Sequence, residues 1–410
     1  MRRTGDLKLI QELNRSIILD MIRKDGPLSR SEIAKRSNLS PTTVTTAVND
    51  LIQDRLVSER GTGVSNGGRK PILLQFSPDN HYIIGISISN SKITIAEMNL
   101  EARIRCKEVY STRGHTGEQV ISYLLELIEY FINIINKPLD LCVGVSVITQ
   151  GIVDSKNGVI RYNPKLKFEN IPLKELIEQK FNIKTWLDND TNAYILAEKH
   201  FGLFNHYENM IYITIGEGLG AGIIVNGTIN RGHNGGAGEF GHTNISNEGI
   251  KCDCGNIGCI ENYVCWPAVY SRILSSIARG KQTIMTELVH GDISQLTELN
   301  FVDALNKGDE LAINVLEEMS TYLAIGLVNL VHLFNPQIII FGGEITTNNP
   351  LLLQKVNQFV KERALTILYE DLQIQPSSLG KEFEMIGAAS VLLQDKFQFK
   401  LTHTEEVVKG

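Results

Sequence analysis

The sequence predicts an α/β body carried behind a small α-rich head, and three observations predict it. From Tyr82 onward, short apolar β-rich runs alternate with amphipathic helical stretches, the pattern of layered α/β folds. Ahead of them, helical spacing is broken by tight turns, as in a compact helical domain. Charge divides along the same line. Residues 1–70 hold thirteen Lys/Arg against eight Asp/Glu, although the 410-residue chain carries a net charge of −6. A basic head on an acidic body makes the head the part that meets a polyanion.

At 410 residues the chain has room for two to three domains. Hydrophobic residues make up 42% and charged residues 21%, the composition of an ordinary soluble globular protein. No uninterrupted run approaches the ~20 apolar residues of a membrane span. The start, Met1 to Asp6, has no apolar stretch after its charges, so it does not read as a secretory signal. The six cysteines, at least three of them placed as metal thiolates, fit a reducing cytoplasm.

In the head, Leu7 to Arg23 has apolar residues at helical spacing, and Gly26-Pro27 stops it. Ser29 and Glu32 stand at capping-box spacing for a short helix to Ser37. Asn38 to Ser40 makes a turn. Ser40 then caps a further helix with Pro41 in its first position, where a missing N–H costs nothing. Val44, Ala47, Val48, Leu51 and Ile52 form its apolar stripe, while Thr42, Thr43, Thr45, Thr46 and Asn49 face the other way. Small hydroxyls at a helix start can approach phosphates and base edges closely. Residues 56–60 and 71–75 flank a Gly-rich hairpin that ends in Arg69 and Lys70. An arginine on such a stalk can enter an A·T minor groove. A helix-turn-helix pattern alone also occurs as a packing motif. With the wing, the positive charge and the threonine face beside it, the expected partner is double-stranded DNA.

In the body, His242, Cys252, Cys254 and Cys259 fall within eighteen residues. A Cys₃His set gives Zn²⁺ its four tetrahedral ligands and leaves no place for water, so the metal would hold a loop in shape. The competing possibilities are uncommitted thiols, for which the stretch is too tight and too Gly-rich to be an ordinary core, or a disulfide pair, which the cysteine spacing disfavours. Glu239 and Glu261 bracket the set as fixed carboxylates suited to a polyhydroxylated ligand. Asn189-Asp190 reads either as a helix cap before Thr191 or as a second pair of hydroxyl-binding groups. Gly-rich loops after the strands ending at Ile215 and Phe341, and the Ser-rich loop after Ile88, are each weak phosphate-loop signals.

Taken in order, these motifs resemble the ROK family (repressors, open reading frames, kinases). They are the helix-turn-helix, Asn189-Asp190, the Gly216–Gly222 loop, Glu239-x-x-His242, the Cys-x-Cys…Cys-x-Glu stretch and Gly342-Gly343-Glu344. Within that family the chain is most similar to the xylose and N-acetylglucosamine repressor branch, from about Leu7 to Leu393. The resemblance implies a two-lobed actin-like ATPase (ribonuclease H-like) body behind a winged helix-turn-helix. Residues 1–75 would form the head, 76–195 with 384–400 one lobe, 196–383 the other with the zinc loop, and 401–410 a tail. It also implies that Gly151, Asn163, Asn189, Asp190, Glu239, His242 and Glu261 bind sugar, with His242 shared with zinc. In kinases of the family an aspartate at the Asp190 position is the base. The nucleotide half departs from that pattern: Ser87, Ser89, Asn90 and Ser91 replace an Asp-x-Gly-Gly-Thr turn, and Glu217 replaces a threonine. The expected function is therefore that of a sugar-responsive repressor without enzymatic turnover, a homodimer or dimer of dimers on operator DNA. A sugar kinase with an appended DNA-binding head, or a regulator that senses a protein, is the competing expectation.

Overall fold

A computed structural model describes residues 7–63 and 70–397. In the head, α1 (Leu7–Asp25), β1 (Leu28–Ser29), α2 (Arg30–Ser37), α3 (Pro41–Gln53), β2 (Val57–Thr62) and β3 (Ile72–Phe76) form a winged helix-turn-helix, its antiparallel sheet ordered β1-β3-β2. The caps are where the sequence places them. Ser29 and Glu32 close a reciprocal capping box, and Ser40 accepts a hydrogen bond from the Thr43 N–H with Pro41 behind it. Asn38 turns the chain between α2 and α3 in the left-handed conformation, which asparagine tolerates.

The head is not hung on a free linker. Ile18, Leu19 and Ile22 of α1 and Val44, Val48 and Leu51 of α3 belong to one apolar cluster that continues into Ile83, Met98, Met385, Ala389 and Leu392 of the body. Close packing of this kind carries displacement from one element to the next.

The body contains two five-stranded sheets with one topology. The first is built from β4 (Tyr82–Ile88), β5 (Lys92–Met98), β6 (Ile104–Ser111), then α4 (Glu118–Ile135), β7 (Cys142–Thr149), the small meander β8 (Ile152–Asp154), β9 (Val159–Asn163) and β10 (Phe168–Ile171), α5 (Leu173–Phe181) and β11 (Thr185–Asn189). Its order is β11-β7-β4-β5-β6. α6 (Asp190–Phe201) leads to β12 (Met210–Ile215), β13 (Leu219–Val225) and β14 (Thr228–Ile229). After the metal loop come α7 (Glu261–Val264), α8 (Trp266–Ala278), α9 (Met285–Leu288), α10 (Glu298–Asn306), α11 (Glu310–Phe334), β15 (Ile338–Gly342), α12 (Pro350–Arg363), α13 (Thr366–Tyr369), β16 (Gln373–Pro376) and α14 (Phe383–Phe397). The second sheet runs β14-β13-β12-β15-β16. In both, an antiparallel three-strand meander is extended by two parallel strands. The helix that follows each last strand, α6 or α14, packs against the other between the sheets. This is the two-lobed actin-like arrangement.

One helix, α11, is long and apolar enough to cross a membrane by length and composition. Its apolarity has a local cause: Leu311, Val315, Leu316, Met319, Leu323, Leu327 and Val331 are buried in the core of the second lobe. Glu310, Asn314, Glu317, Glu318 and His332 interrupt the helix, so it is not the continuous apolar run that the sequence was expected to lack.

Candidate ligand cleft, metal centre and DNA interface

The four ligand atoms of His242, Cys252, Cys254 and Cys259 lie within 4.8 Å of one another. Cys254 Sγ is 3.6 Å from Cys259 Sγ, and Cys252 Sγ is 3.7 Å from His242 Nδ1. Ligands about 2.3 Å from a tetrahedral Zn²⁺ stand about 3.7 Å apart, so the set fits that ion. The sulfurs are far outside bonding distance, and all six cysteines are free. Burial pushes the Cys259 thiol up to about 12 and raises Cys252, whereas the Asn256 backbone N–H lowers Cys254. Thiols held protonated by burial become thiolates when a cation is bound. The loop's glycines serve its path: at Gly238, with φ of +90°, a side chain would strike the Ala221 carbonyl.

His242 turns its other nitrogen to the cleft, where Nε2 is 3.8 Å from Glu239 Oε2. Glu261, at the start of α7, accepts a hydrogen bond from the Leu219 N–H at 3.1 Å. Burial raises Glu239; His242 opposes that shift and Glu261 adds to it. Burial pushes the Asp190 carboxyl up to about 6, against the Thr191 hydrogen bonds and with the charges of Glu239 and Glu384. Three carboxylates from separate elements thus share one field.

Asn189 is the N-cap of α6: its Oδ1 accepts from the Thr191 and Asn192 N–H groups, while Nδ2 donates to the Gly151 carbonyl at 3.0 Å. Asn163 is buried; it donates to the Gln150 carbonyl at 3.2 Å and accepts from the Leu166 N–H at 3.0 Å. Both asparagines therefore shape the loop at Gly151. There φ is +98° and a side chain would strike the Tyr162 carbonyl. All seven expected ligand residues gather around this one end of the cleft. Two residues before Asp190, at Asp188 of β11, begins a pair the sequence did not single out. Arg231 donates from Nε to Asp188 Oδ2 at 2.9 Å, the Asp188 side chain being fully buried.

At the nucleotide end, the Asn90 side chain donates to Glu217 Oε2 at 3.1 Å, joining the β4–β5 turn to the β12–β13 turn. Lys165 Nζ donates to the Glu217 carbonyl at 3.0 Å. The two positions expected to depart from the family's phosphate loops, Asn90 and Glu217, are bonded to each other.

On α3, Thr42, Thr45, Thr46 and Asn49 are exposed and Thr43 is half-buried. Thr45 Oγ1 bonds back to the Pro41 carbonyl, and Thr43 Oγ1 lies 2.9 Å from Ser40 Oγ. Arg30, absent from the expected contacts, sits beside this face, near Asn49 and paired with Glu59. Lys70 is exposed at the base of the wing; Arg69 lies outside the described residues, as does the tail 401–410.

The sequence pattern of the ROK family matches residues 83–395, and that of a winged helix-turn-helix DNA-binding domain matches residues 13–58. The xylose repressor of Caldicellulosiruptor bescii is 31% identical over 96% of this chain and 99% of its own length. The DNA-binding transcriptional dual regulator NagC of Escherichia coli is 32% identical over 95% of this chain and 94% of its own length. The chain belongs to the ROK family. Among solved structures, a ROK family transcriptional regulator described as a homolog of the E. coli MLC protein superposes with a TM-score of 0.84 at 28% identity, covering 95% of this chain and 98% of that one. A ROK family glucokinase from Streptomyces griseus, in complex with glucose and AMPPNP, superposes with a TM-score of 0.67 at 26% identity, covering 75% of this chain and 98% of that one. Kinases of the ROK family thus share the body, whereas the repressors match from the head onward.

Proposed function

We propose that this chain is a sugar-responsive transcriptional repressor. A sugar is held between Asp190, Glu239, Glu261 and His242, under the loop shaped by Gly151, Asn163 and Asn189. The observation that carries this reading is the contrast within one cleft: half-buried carboxylates gathered at one end, and substituted phosphate turns bonded to each other at the other end. Half-buried like charges favour a ligand that brings hydroxyl donors. Zn²⁺ on His242, Cys252, Cys254 and Cys259 would supply no chemistry beyond fixing the Glu239 and Glu261 carboxylates in place.

Two heads of a cytoplasmic homodimer, or of a dimer of dimers, bind an operator of roughly palindromic sequence. Ser40, Thr42, Thr43, Thr45, Thr46 and Asn49 approach the major groove, and Arg69 and Lys70 the neighbouring minor groove and backbone. The moving bodies are the head and the two lobes; the boundary expected at 195/196 falls inside α6 (Asp190–Phe201), so the lobes meet along α6 and α14. Asp190 begins α6, α6 packs along α14, and α14 shares an apolar cluster with α1. Sugar that prefers closed lobes shifts α14 and with it the head, and operator affinity falls. A gel shift with DNA from upstream of the chain's own reading frame tests this. Binding released by D-xylose or N-acetylglucosamine is expected; no binding at all would overturn the reading.

A kinase reading draws on one observation, the Asp190 carboxyl near 6, which suits a general base. It predicts ADP release from millimolar ATP with a hexose, and the bonded Asn90–Glu217 pair argues for none.

A further inference from the structure

Glu217 stands at the tip of the β12–β13 turn in the second lobe, and the first lobe grips it at two points. Asn90 holds its carboxylate at 3.1 Å and Lys165 holds its carbonyl at 3.0 Å. These come from separate turns of the first lobe, so rotation of the lobes breaks both bonds together. The second lobe fixes the same turn from behind. The Trp266 N–H donates to the Gly216 carbonyl at 2.8 Å, Gly216 and Gly218 bond within the turn at 3.0 Å, and the Leu219 N–H donates to Glu261. Glu261 is a proposed sugar contact. Lys165 follows Asn163, another, by two residues. The turn is therefore tied to the ligand end of the cleft from both lobes.

We infer that Asn90, Lys165 and Glu217 form an interlobe clasp that sets how much of the ligand-free protein is closed. The inference deepens the sugar-responsive reading and rests on it for its regulatory consequence. A hydrogen bond to a charged acceptor that exists only when two bodies meet biases their equilibrium by about tenfold. If sugar prefers closed lobes, the clasp lowers the sugar concentration needed for release from DNA. In this role Glu217 is a positioning residue and touches no ligand.

Asn90→Asp sets two carboxylates against each other. Glu217→Gln keeps an acceptor for Asn90. The double variant Asn90→Asp/Glu217→Gln re-forms the bond with donor and acceptor exchanged. Amide hydrogen exchange on the full-length zinc-loaded protein without sugar reads the clasp in residues 88–92 and 215–219. Exchange about tenfold faster is expected in Asn90→Asp, with return to the wild-type rate in the double variant and no change in residues 242–259. Wild-type rates in Asn90→Asp, or a double variant as fast as the single, overturn the clasp. Should Asn90→Asp fail to fold, Lys165→Met gives the same reading with a smaller rise, and no rise counts against it. Calorimetry of the wild-type protein with D-xylose and N-acetylglucosamine tests the effector reading separately. Absence of heat with restored exchange in the double variant sinks the effector reading and leaves the clasp.

Discussion

Glu217 and Glu261 lie on either side of one turn and have opposite fates. Glu217 has its carboxylate bonded to Asn90 across the cleft and its carbonyl bonded to Lys165. Glu261 binds the Leu219 N–H and otherwise faces Glu239, whose carboxyl its charge helps to raise. At the phosphate end of the cleft the Glu217 carboxylate and carbonyl are both bonded within the protein. The sugar end keeps like charges together in a half-buried place, where desolvation has pushed Asp190 to about 6. A region of the first kind stabilises one arrangement of the lobes. A region of the second kind is stabilised when something else arrives with donors. On the function proposed above, the difference marks which end of the cleft takes a ligand.

The largest effect should come from the metal loop that holds the sugar-end carboxylates. Cys259 is fully buried, and Cys259→Ser removes a thiolate from a closed four-ligand set. We expect zinc to be lost and stability to fall by more than about 4 kcal/mol, read by elemental analysis and urea unfolding. Full zinc content at wild-type stability would remove the metal assignment. Glu217→Ala, on the other side of the turn, should cost no more than about 1–2 kcal/mol. Next is the pair of half-buried Arg231 and buried Asp188, two residues before Asp190 in the chain. Arg231→Ala leaves Asp188 charged and without its cation, a loss of about 3–5 kcal/mol in the same unfolding assay. Arg231→Met with Asp188→Asn should recover part of it; no recovery would mean that Arg231 acts through packing alone.

What the sequence made legible follows from separation along the chain. The metal set is written within eighteen residues, and the capping box at Ser29 and the cap at Ser40 within four, so spacing alone located them. Asn189 shows the limit of spacing. Its helix-cap reading is realised in the structure, and the same side chain also bonds Gly151. Arg231–Asp188, Asn90–Glu217 and Lys165–Glu217 join residues far apart in sequence, and no local pattern announces such pairs. The shared topology of the two sheets was hidden for a related reason. β6 alternates half-buried and exposed residues while β14 is two residues long, so equivalent strands carry no common residues. Arg30 carried a weak signal, a basic residue one position after a cap, and it matters only because folding sets it beside Asn49.

The sugar end should also be separable from the phosphate end by pH. The Asp190 carboxyl is raised from its ordinary 3.8 to about 6 in the folded chain. Between those values the unfolded chain has released the proton and the folded chain still holds it, so stability falls as pH rises from about 4 to 6. At pH 7 the full loss, about 2–3 kcal/mol, is present. Asp190→Asn removes it. The variant should therefore gain about that much at pH 7, unfold with a flatter profile between pH 4 and 7, and no longer respond to sugar. An unchanged profile would show that Asp190 is solvated in solution and would weaken the contrast with Glu217.

The smallest effect asks whether the head is coupled to that cleft or only attached to it. Ser40 Oγ accepts the Thr43 N–H at 3.1 Å, and Ser40→Ala should cost about 1 kcal/mol. Because α1 and α3 share one apolar cluster with α14, that cost should appear in the unfolding of the whole chain and not as a separate transition of the head. Ser40→Asp preserves the cap, so its stability should match the wild type. It also places a negative charge at the end of α3 proposed to meet phosphate, so operator affinity should drop and the salt dependence of binding should shallow by about one unit. If Ser40→Asp binds operator as the wild type does, α3 enters DNA by another face, and the contrast between ligand end and phosphate end loses its route to the genome.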